Sequence, residues 1–206
     1  MSFPERSYTT GGQYLAAYRA AVLEAWQSID TDAASRAADL LEGVISGGNF
    51  IYTCGNGGSA AIANHLLCDF LKGVQTDTDL QPRVVSLSSH LELITAIAND
   101  IAYDEVFVYQ LRTLARPGDL LLTISSSGNS ENIVRALEWA RGNRVGSIAF
   151  TGFDGGRSAA LADINLHVRA ANYGVVEDVH QSLMHSLAQY LRQRAMQAEL
   201  IPHRRF

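Results

Sequence analysis

The sequence predicts an α/β fold, a three-layer αβα sandwich built on a five-stranded parallel sheet and preceded by an N-terminal helical hairpin. The first observation is an alternation, because short apolar segments rich in β-branched and aromatic residues are separated by stretches with helical spacing of apolar residues. Strands that alternate with helices form parallel βαβ units. The second observation is that segments such as DLLLTI (119–124) are apolar throughout, which is typical of strands covered on both faces.

Two helices are predicted before the first strand. Apolar residues recur at helical spacing over 13–28 and again over 32–46, with the turn IDTD between them. Asp30 or Thr31 is a candidate N-cap of the second helix, and Gly47 is expected to end it.

Five strands and the helices between them follow in order. The predicted strands are 49–54, 83–87, 119–124, 146–151 and 163–168. The predicted helices are 59–72, 91–97 with 104–115, 130–142, a short one near 157–162 and a last one over about 176–197. No linker, repeat or low-complexity tract interrupts this series, so residues 1–206 are predicted to form a single domain.

Composition excludes several classes of protein. Hydrophobic residues make up 47% of the 206 residues and charged residues 18%, which is typical of a globular chain rather than a disordered one. The net charge of -5 argues against nucleic acid as the main partner. Cys54 and Cys68 do not form a C-x-x-C pair, which excludes a zinc ribbon and a thioredoxin-type site. We expect two reduced, half-buried thiols in a cytoplasmic protein.

Nothing in the sequence predicts export or membrane insertion. The N-terminal stretch MSFPERSYTTGG is polar and lacks the apolar region of a signal peptide. No apolar run approaches the roughly 18 residues that a membrane span needs. We therefore expect a cytoplasmic protein that does not act at a membrane.

Polar clusters rich in glycine and serine follow the predicted strands. GNGGS follows the first strand, SSH the second, SSSGNS the third and GFDGG the fourth. Ligands of parallel α/β sheets bind outside the carboxyl ends of the strands, and these clusters share that edge. The sequence therefore predicts a small-molecule site at this edge of the sheet.

The first cluster also matches a dinucleotide-binding fingerprint. GNGGSA (55–60) has the spacing G-x-G-x-x-G/A after a strand and at the start of a helix. That fingerprint needs an acidic residue about 20 positions on, at the end of the second strand. Here the second strand ends in serines, and Asp77 and Asp79 precede it. A nucleotide cofactor is therefore not expected, and a P-loop is excluded because its G-x-x-x-x-G-K-[ST] pattern is missing.

The cluster after the third strand favours a single phosphate group. A helix N-terminus supplies free N–H groups and the positive end of the helix dipole, while glycine lets the backbone approach a ligand closely. An N-cap would account for Ser130 but not for Ser125, Ser126 and Ser127. Because the loop holds no Lys or Arg, it suits a phosphate monoester rather than a polyphosphate with Mg²⁺.

On these motifs the chain resembles the SIS (sugar isomerase) domain family, of flavodoxin-like fold, and within it the phosphoheptose isomerases. The resemblance rests on CGNGGS, SSSGNS and TGFDGG and spans nearly the whole chain. It implies an aldose–ketose isomerase that converts sedoheptulose 7-phosphate to D-glycero-D-manno-heptose 7-phosphate, a precursor of lipopolysaccharide or capsule. It also implies a homotetramer with active sites between subunits.

Two residues are the candidates for the proton transfers that such an isomerisation needs. His65 and Asp69 are four residues apart and so share a helix face. The resemblance implies that Asp69 is the base, where the family has a glutamate, and that His185 is the catalytic histidine. Asp69 is one methylene shorter than a glutamate, and a displacement of about 1 Å can reduce a rate of order 10²-fold.

The last helix adds further candidates. Glu177 and Gln181 are expected along one side of it, with His185 adjoining them and His180 on the other side of Glu177. The resemblance places a glutamine where Glu177 stands and an aspartate where Gly174 stands. An alternative for either histidine is a buried core residue with its hydrogen bonds satisfied.

His65, Asp69, Glu177 and His185 are also predicted as a zinc site. Imidazole and carboxylate ligands suit Zn²⁺, and the resemblance implies that zinc occupies the four matching positions in some phosphoheptose isomerases. Glu177 in place of a neutral glutamine adds a negative charge that favours a divalent ion. Metal ligation and base catalysis by the same residues compete, so both roles stay open.

The resemblance implies further contacts with substrate. Asn56, Gly57 and Ser59 are expected to meet sugar or phosphate oxygens. Asp100 matches an aspartate that contacts the sugar, with an Asx-turn as the alternative. Thr151 is either a strand-end cap or a ligand contact.

Two other functions are weighed against this one. A SIS protein without catalysis could bind a partner such as a bacterial replication initiator, and residues 93–115 resemble such a relative. That relative lacks a histidine at the position of His185, which this chain keeps. The other alternative is an isomerase of a different phosphosugar.

Overall fold

A computed structural model describes residues 3–206 as one sheet with helices on both faces. The strands are β1 (Phe50–Gly55), β2 (Arg83–Ser86), β3 (Leu120–Ser125), β4 (Gly146–Thr151) and β5 (Ile164–His167). The helices are α1 (Gly11–Gln27), α2 (Thr31–Ser46), α3 (Gly58–Cys68), α4 (Leu91–Asp100), α5 (Val108–Leu114), α6 (Glu131–Gly142), α7 (Gly156–Leu161) and α8 (Tyr173–Ala195). A π-helical turn covers Asp69–Val74, and short 3₁₀ turns cover Tyr103–Glu105 and Ala198–His203.

All strand pairs are parallel, and the strand order is β2-β1-β3-β4-β5. The central strand β3 is buried along its whole length, which explains why its sequence is apolar rather than alternating. The chain reverses its direction of winding between β1 and β3, and this switch point is where doubly wound sheets bind ligands. The predicted α/β fold is confirmed.

Two apolar cores separate the sheet from its helical layers. Leu120, Leu122 and Ile124 of β3 face a core shared with α1, α2, α3 and α8. Leu121 points to the opposite face, into a core shared with α4, α5 and α6. This alternation follows from the two-residue period of a strand. It produces the three-layer sandwich that the sequence predicts, with the helical hairpin α1–α2 lying on the α8 side.

Three helix boundaries can be compared with the boundaries that the sequence predicts. Asp30 is the N-cap of α2, since its side chain accepts hydrogen bonds from the backbone N–H groups of Asp32 and Ala33. The predicted helix 59–72 is not regular throughout, because α3 ends at Cys68 and the chain widens into the π-helical turn. The last helix begins three residues earlier than expected, since the side chain of Asn172 caps it.

The two cysteines are free, with Cys54 buried and Cys68 exposed. The expectation of two half-buried thiols is therefore wrong for each of them, because Cys54 lies inside a central strand and Cys68 on the outer side of α3. Burial raises the pKa of the Cys54 thiol. Within residues 3–206, no helix combines the length and apolarity that a bilayer crossing requires.

Candidate active site

A cavity of about 120 Å³ opens at the carboxyl edge of the sheet. It is enclosed by the loops that follow β1 and β3 and by the first turns of α8. The residues that line it are Asn56, Ser59, Ile124, Ser125, Ser126, Ser127, Ser130, Tyr173 and Glu177. The structure thus brings together the serines and Asn56 that the sequence predicts as ligand contacts, while Gly57 lies in the adjoining loop.

The four loop serines divide into two pairs. Ser125 Oγ accepts a hydrogen bond from the N–H of Gly128 at 3.2 Å, and Ser127 Oγ accepts one from the N–H of Asn129 at 3.3 Å. These two hydroxyls hold the shape of the loop. Ser130 precedes α6 but makes no side-chain capping bond, and the Ser126 hydroxyl is buried without a hydrogen-bond partner among residues 3–206. An N-cap therefore does not explain the loop, and two hydroxyls are left to meet a ligand.

The serine loop is fixed by close backbone contact with the loop after β4. Gly128 has φ +64°, a conformation that favours glycine. A Cβ on Gly128 would overlap the carbonyl oxygen of Gly155 and lie 2.7 Å from its carbonyl carbon. Hydrogen bonds from Ser158 N–H to Gly128 O and from Gly152 N–H to Ser126 O, both 2.9 Å long, close the contact. The TGFDGG cluster thus supports the serine loop from behind.

Asn56 is held in the cavity by two side chains. Its amide exchanges hydrogen bonds of 2.9 and 3.0 Å with the amide of Asn132 in the first turn of α6. The hydroxyl of Tyr103 donates to Asn56 Oδ1 at 2.9 Å. The loop itself is tied to the end of β2, since Ser88 Oγ accepts from Gly55 N–H and donates to Gly55 O. The serines after β2 therefore position the first loop rather than line the cavity.

Ion pairs surround the N-terminus of α6, next to the serine loop. Glu131 binds Arg157 and Arg135, and the pKa of its carboxyl is lowered chiefly by the hydrogen bond from Arg157. Arg135 also pairs with Glu105 at 2.8 Å. Arg112 pairs with the same Glu105 at 2.8 Å. Arg112 and Arg157 are exposed and Arg135 is partly exposed, but all three engage carboxylates, so they do not present a free cation to the cavity.

A cluster of one carboxylate and two histidines lies between α3 and α8. Asp69 Oδ2 is 2.6 Å from His185 Nδ1, and Asp69 Oδ1 is 3.3 Å from His65 Nε2. The two imidazole rings meet edge to face, with centroids 4.8 Å apart. The amide nitrogen of Gln181 lies 3.1 Å from His65 Nδ1 and 2.8 Å from His185 Nε2. The structure thus places His65, Asp69 and His185 side by side.

The hydrogen-bond pattern of this cluster assigns its protons. The amide nitrogen of Gln181 is a donor, so each ring nitrogen that faces it acts as an acceptor. The opposite nitrogens, His65 Nε2 and His185 Nδ1, then carry the hydrogens and face Asp69. Asp69 accepts a hydrogen bond from each ring. The π-helical turn that begins at Asp69 aims its carboxylate at α8.

The same three residues fit a divalent metal ion, since they offer ligand atoms that all lie within 4.8 Å of one another. Glu177, the fourth residue of the predicted zinc set, is not part of this cluster. Glu177 precedes His185 by eight residues, which is about 12 Å along a helix. Its carboxyl lies instead against Gly58 at the start of α3, inside the serine cavity.

Three other candidates lie away from the cavity. Asp100 ends α4, is exposed, and accepts a hydrogen bond from Asn99 Nδ2. Thr151 Oγ1 lies 2.9 Å from Asn165 Oδ1 and 3.0 Å from His167 Nδ1, so it serves the end of the sheet. His180 is fully buried with its Nε2 3.1 Å from the Thr151 carbonyl, and burial lowers its pKa to about 4. It is a neutral core residue.

Sequence reasoning missed Tyr173, Asn132 and Tyr103. Tyr173 lines the cavity and packs on Phe153 with ring centroids 4.9 Å apart. Its signal was the cluster AANYG after β5, which follows the same pattern as the other strand-end loops. The signal for Asn132 was its position in the first turn of the helix that follows the serines. Tyr103 carried none, because only the folded chain brings it to Asn56.

The SIS domain family matches residues 13–152. The phosphoheptose isomerase of Colwellia psychrerythraea is 44% identical over 148 residues, which are 70% of this chain and 75% of that protein. The phosphoheptose isomerase of Shewanella oneidensis is 39% identical over 156 residues, covering 74% and 79% of the two chains. Among solved structures, the Neisseria gonorrhoeae phosphoheptose isomerase superimposes with a TM-score of 0.81 at 33% identity, covering 88% of this chain and 98% of the other. The chain therefore belongs to the SIS domain family and is of the phosphoheptose isomerase type.

Proposed function

We propose that this protein is an aldose–ketose isomerase of a sugar phosphate, which converts sedoheptulose 7-phosphate to D-glycero-D-manno-heptose 7-phosphate. The observation that carries the proposal is the line of contact between α3 and α8, which we call the seam. A cavity rich in hydroxyl groups lies at one end of this seam, and the Asp69–His185 pair lies further along it. Relatives named phosphoheptose isomerase support this reaction and do not favour the partner-binding alternative.

The serine cavity is the proposed phosphate site. The hydroxyls of Ser126 and Ser130 and the free N–H groups at the start of α6 supply donors. Ser59 and the Asn56 amide add donors from the α3 side. A phosphate held there leaves the sugar carbons to extend along α3 and α8 towards Asp69. Asp100 remains a predicted sugar contact, although in this chain it lies apart from the cavity.

Asp69 and His185 are the proposed proton carriers. In the enediol mechanism, Asp69 takes the proton from the carbon next to the carbonyl group, and His185, as the acid/base, gives a proton to the carbonyl oxygen. His185 then takes back a proton from the neighbouring hydroxyl oxygen, and Asp69 returns its proton to the former carbonyl carbon, so the reaction is balanced without an added oxidant or reductant. The 2.6 Å contact between Asp69 Oδ2 and His185 Nδ1 lets the imidazole orient the carboxylate and stabilise its charge.

A zinc ion is proposed at His65, Asp69 and His185. The donor set of two imidazoles and one carboxylate suits Zn²⁺, and the distances within the cluster permit it. When bound, such an ion polarises a carbonyl or hydroxyl oxygen as a Lewis acid.

A homotetramer in the cytoplasm is the proposed working form. Large apolar side chains of α1 and α4 are exposed in the single chain, with Leu15 68%, Leu23 57% and Leu91 67% accessible. Exposed apolar surface of this kind is typical of a protein–protein contact. The two free cysteines are compatible with a reducing compartment.

The test is turnover of sedoheptulose 7-phosphate, followed by NMR of the sugar, with protein freed of metal and then reloaded with zinc. We expect an aldose product from the wild type. Asp69→Asn and His185→Ala should each lower kcat by about 10²- to 10⁴-fold, as loss of a general acid or base does. Glu138→Gln, at an exposed carboxyl on α6, is the control and should keep the wild-type rate.

Three outcomes are distinguishable. Activity that survives in both variants would remove Asp69 and His185 from the mechanism. Activity that does not depend on metal would show that zinc has no part in the mechanism. No product, from a protein that still binds phosphosugars, would contradict the substrate and direct the search to other ketose phosphates.

A further inference from the structure

Glu177 is the one carboxylate among the described residues that line the serine cavity. Its side chain extends from the second turn of α8, and its carboxyl touches Gly58 so closely that a Cβ on that glycine would lie 2.8 Å from Oε1 and would overlap Oε2. Burial, followed by the nearby charge of Asp178, raises the pKa of this carboxyl. No donor within residues 3–206 hydrogen-bonds to it to offset that burial.

The rest of the cavity has the opposite chemistry. Serine hydroxyls, the Asn56 amide and the Tyr173 hydroxyl can all donate hydrogen bonds. An ionised carboxylate can only accept. A ligand that uses these donors on one side and Glu177 on the other therefore combines acceptor oxygens, such as those of a phosphate, with a hydrogen-bond donor. An anion without a hydroxyl group meets repulsion from Glu177 and gains nothing in return.

We propose that Glu177 makes the cavity selective for phosphate monoesters that carry a free hydroxyl close to the phosphate, and that it excludes oxyanions without a hydrogen to donate. This inference rests on the proposed phosphate site and adds a specificity-determining residue to it. The hydroxyl of a sugar phosphate donates to the Glu177 carboxylate, while the serines bind the phosphate oxygens. Sulfate and simple alkyl phosphates lack that donor.

The experiment compares two ligands that differ by one hydroxyl group, ethyl phosphate and 2-hydroxyethyl phosphate, with sulfate as a third. Affinities are measured by calorimetry on the wild type, Glu177→Gln and the control Glu138→Gln, whose carboxyl is exposed on α6. A hydrogen bond to a charged group is stronger than one to a neutral group. We therefore expect the wild type to bind the hydroxylated ester about tenfold more tightly than ethyl phosphate.

Glu177→Gln keeps the shape of the side chain and removes its charge. We expect it to bind ethyl phosphate and sulfate at least about tenfold more tightly than the wild type, and to prefer the hydroxylated ester by less than about threefold. Glu138→Gln should behave as the wild type. If Glu177→Gln does not fold, Glu177→Asp serves instead, since it keeps the charge but withdraws the carboxylate, and it should lower the preference without a gain in sulfate binding.

Equal affinity of the wild type for the two esters overturns the inference, as does an unchanged preference in Glu177→Gln. The hydroxyl preference together with no turnover of sedoheptulose 7-phosphate supports the inference and contradicts the proposed reaction. Failure of all three anions to bind to either protein overturns the inference together with the phosphate site.

Discussion

The contact between the serine loop and the loop after β4 can be tested at Gly128. Replacing Gly128 with alanine adds one methyl group where the backbone of Gly155 already lies, with the carbonyl carbon at 2.7 Å and the N–H of Gly156 at 3.2 Å. Neither neighbour is a flexible side-chain end. Relief of the overlap therefore requires one loop to move, and hydrogen bonds across the contact oppose that movement.

The expected loss has two parts, and a second glycine separates them. Left-handed backbone at φ +64° costs alanine about 1–2 kcal/mol, and forced overpacking costs about 1–3 kcal/mol more. Gly48 has a similar φ of +71° with no atom within 4 Å of the position of a Cβ. Gly48→Ala therefore measures the backbone part alone, and Gly128→Ala should be less stable by the overpacking part.

The assay is urea unfolding of both variants, with phosphate-ester affinity measured on the folded proteins. We expect Gly48→Ala to keep the affinity of the wild type, and Gly128→Ala to lose at least about tenfold because the serine loop moves. Equal destabilisation by the two substitutions would refute the argument from close contact. Unchanged affinity in Gly128→Ala would show that the serine loop does not hold the ligand.

Two further predictions concern buried polar groups. His180 has a pKa of about 4 when folded and 6.5 as a free side chain. Between these values the unfolded chain binds the extra proton, so acidification lowers stability by about 1.4 kcal/mol per pH unit. His180→Gln, compared by denaturant unfolding at several pH values, should lose this part of the slope, and an unchanged slope would contradict the burial. Ser126→Ala removes a buried hydroxyl that has no hydrogen-bond partner within residues 3–206. Its free energy of unfolding should therefore stay equal or rise by up to about 1 kcal/mol, while phosphate-ester affinity falls about tenfold. A fall in both would make Ser126 a structural residue.

The fold could be predicted because its signals are local. Runs such as DLLLTI are apolar on both faces, and this follows directly from a strand buried between two helical layers. The loops after β1 and β3 could be predicted as one site because parallel strands end at the same edge. The predicted start of the last helix near residue 176 is late because the N-cap is Asn172, whose side chain accepts a hydrogen bond from the N–H of Val175.

Contacts between side chains of one helix could be predicted from their spacing, whereas contacts between side chains of two helices could not. His65 and Asp69 share a face because they are four residues apart, although the π-helical turn that aims Asp69 at His185 depends on packing against α8. Glu177 was predicted with His185 from its expected side of α8 and from the four zinc positions that the resemblance implies. Periodicity gives the side of a helix and neglects the rise along its axis, which separates these two residues by about 12 Å.

The measurement that tests the account most directly is isomerisation of sedoheptulose 7-phosphate in D₂O, with deuterium located in the product by NMR. An enediol mechanism passes the carbon-bound proton through a base that exchanges with solvent. We therefore predict an aldose product that carries deuterium at the carbon next to its aldehyde, and no such product from Asp69→Asn. Sugar phosphate that binds but neither isomerises nor takes up deuterium would contradict the proposal that this seam between α3 and α8 is an isomerase active site.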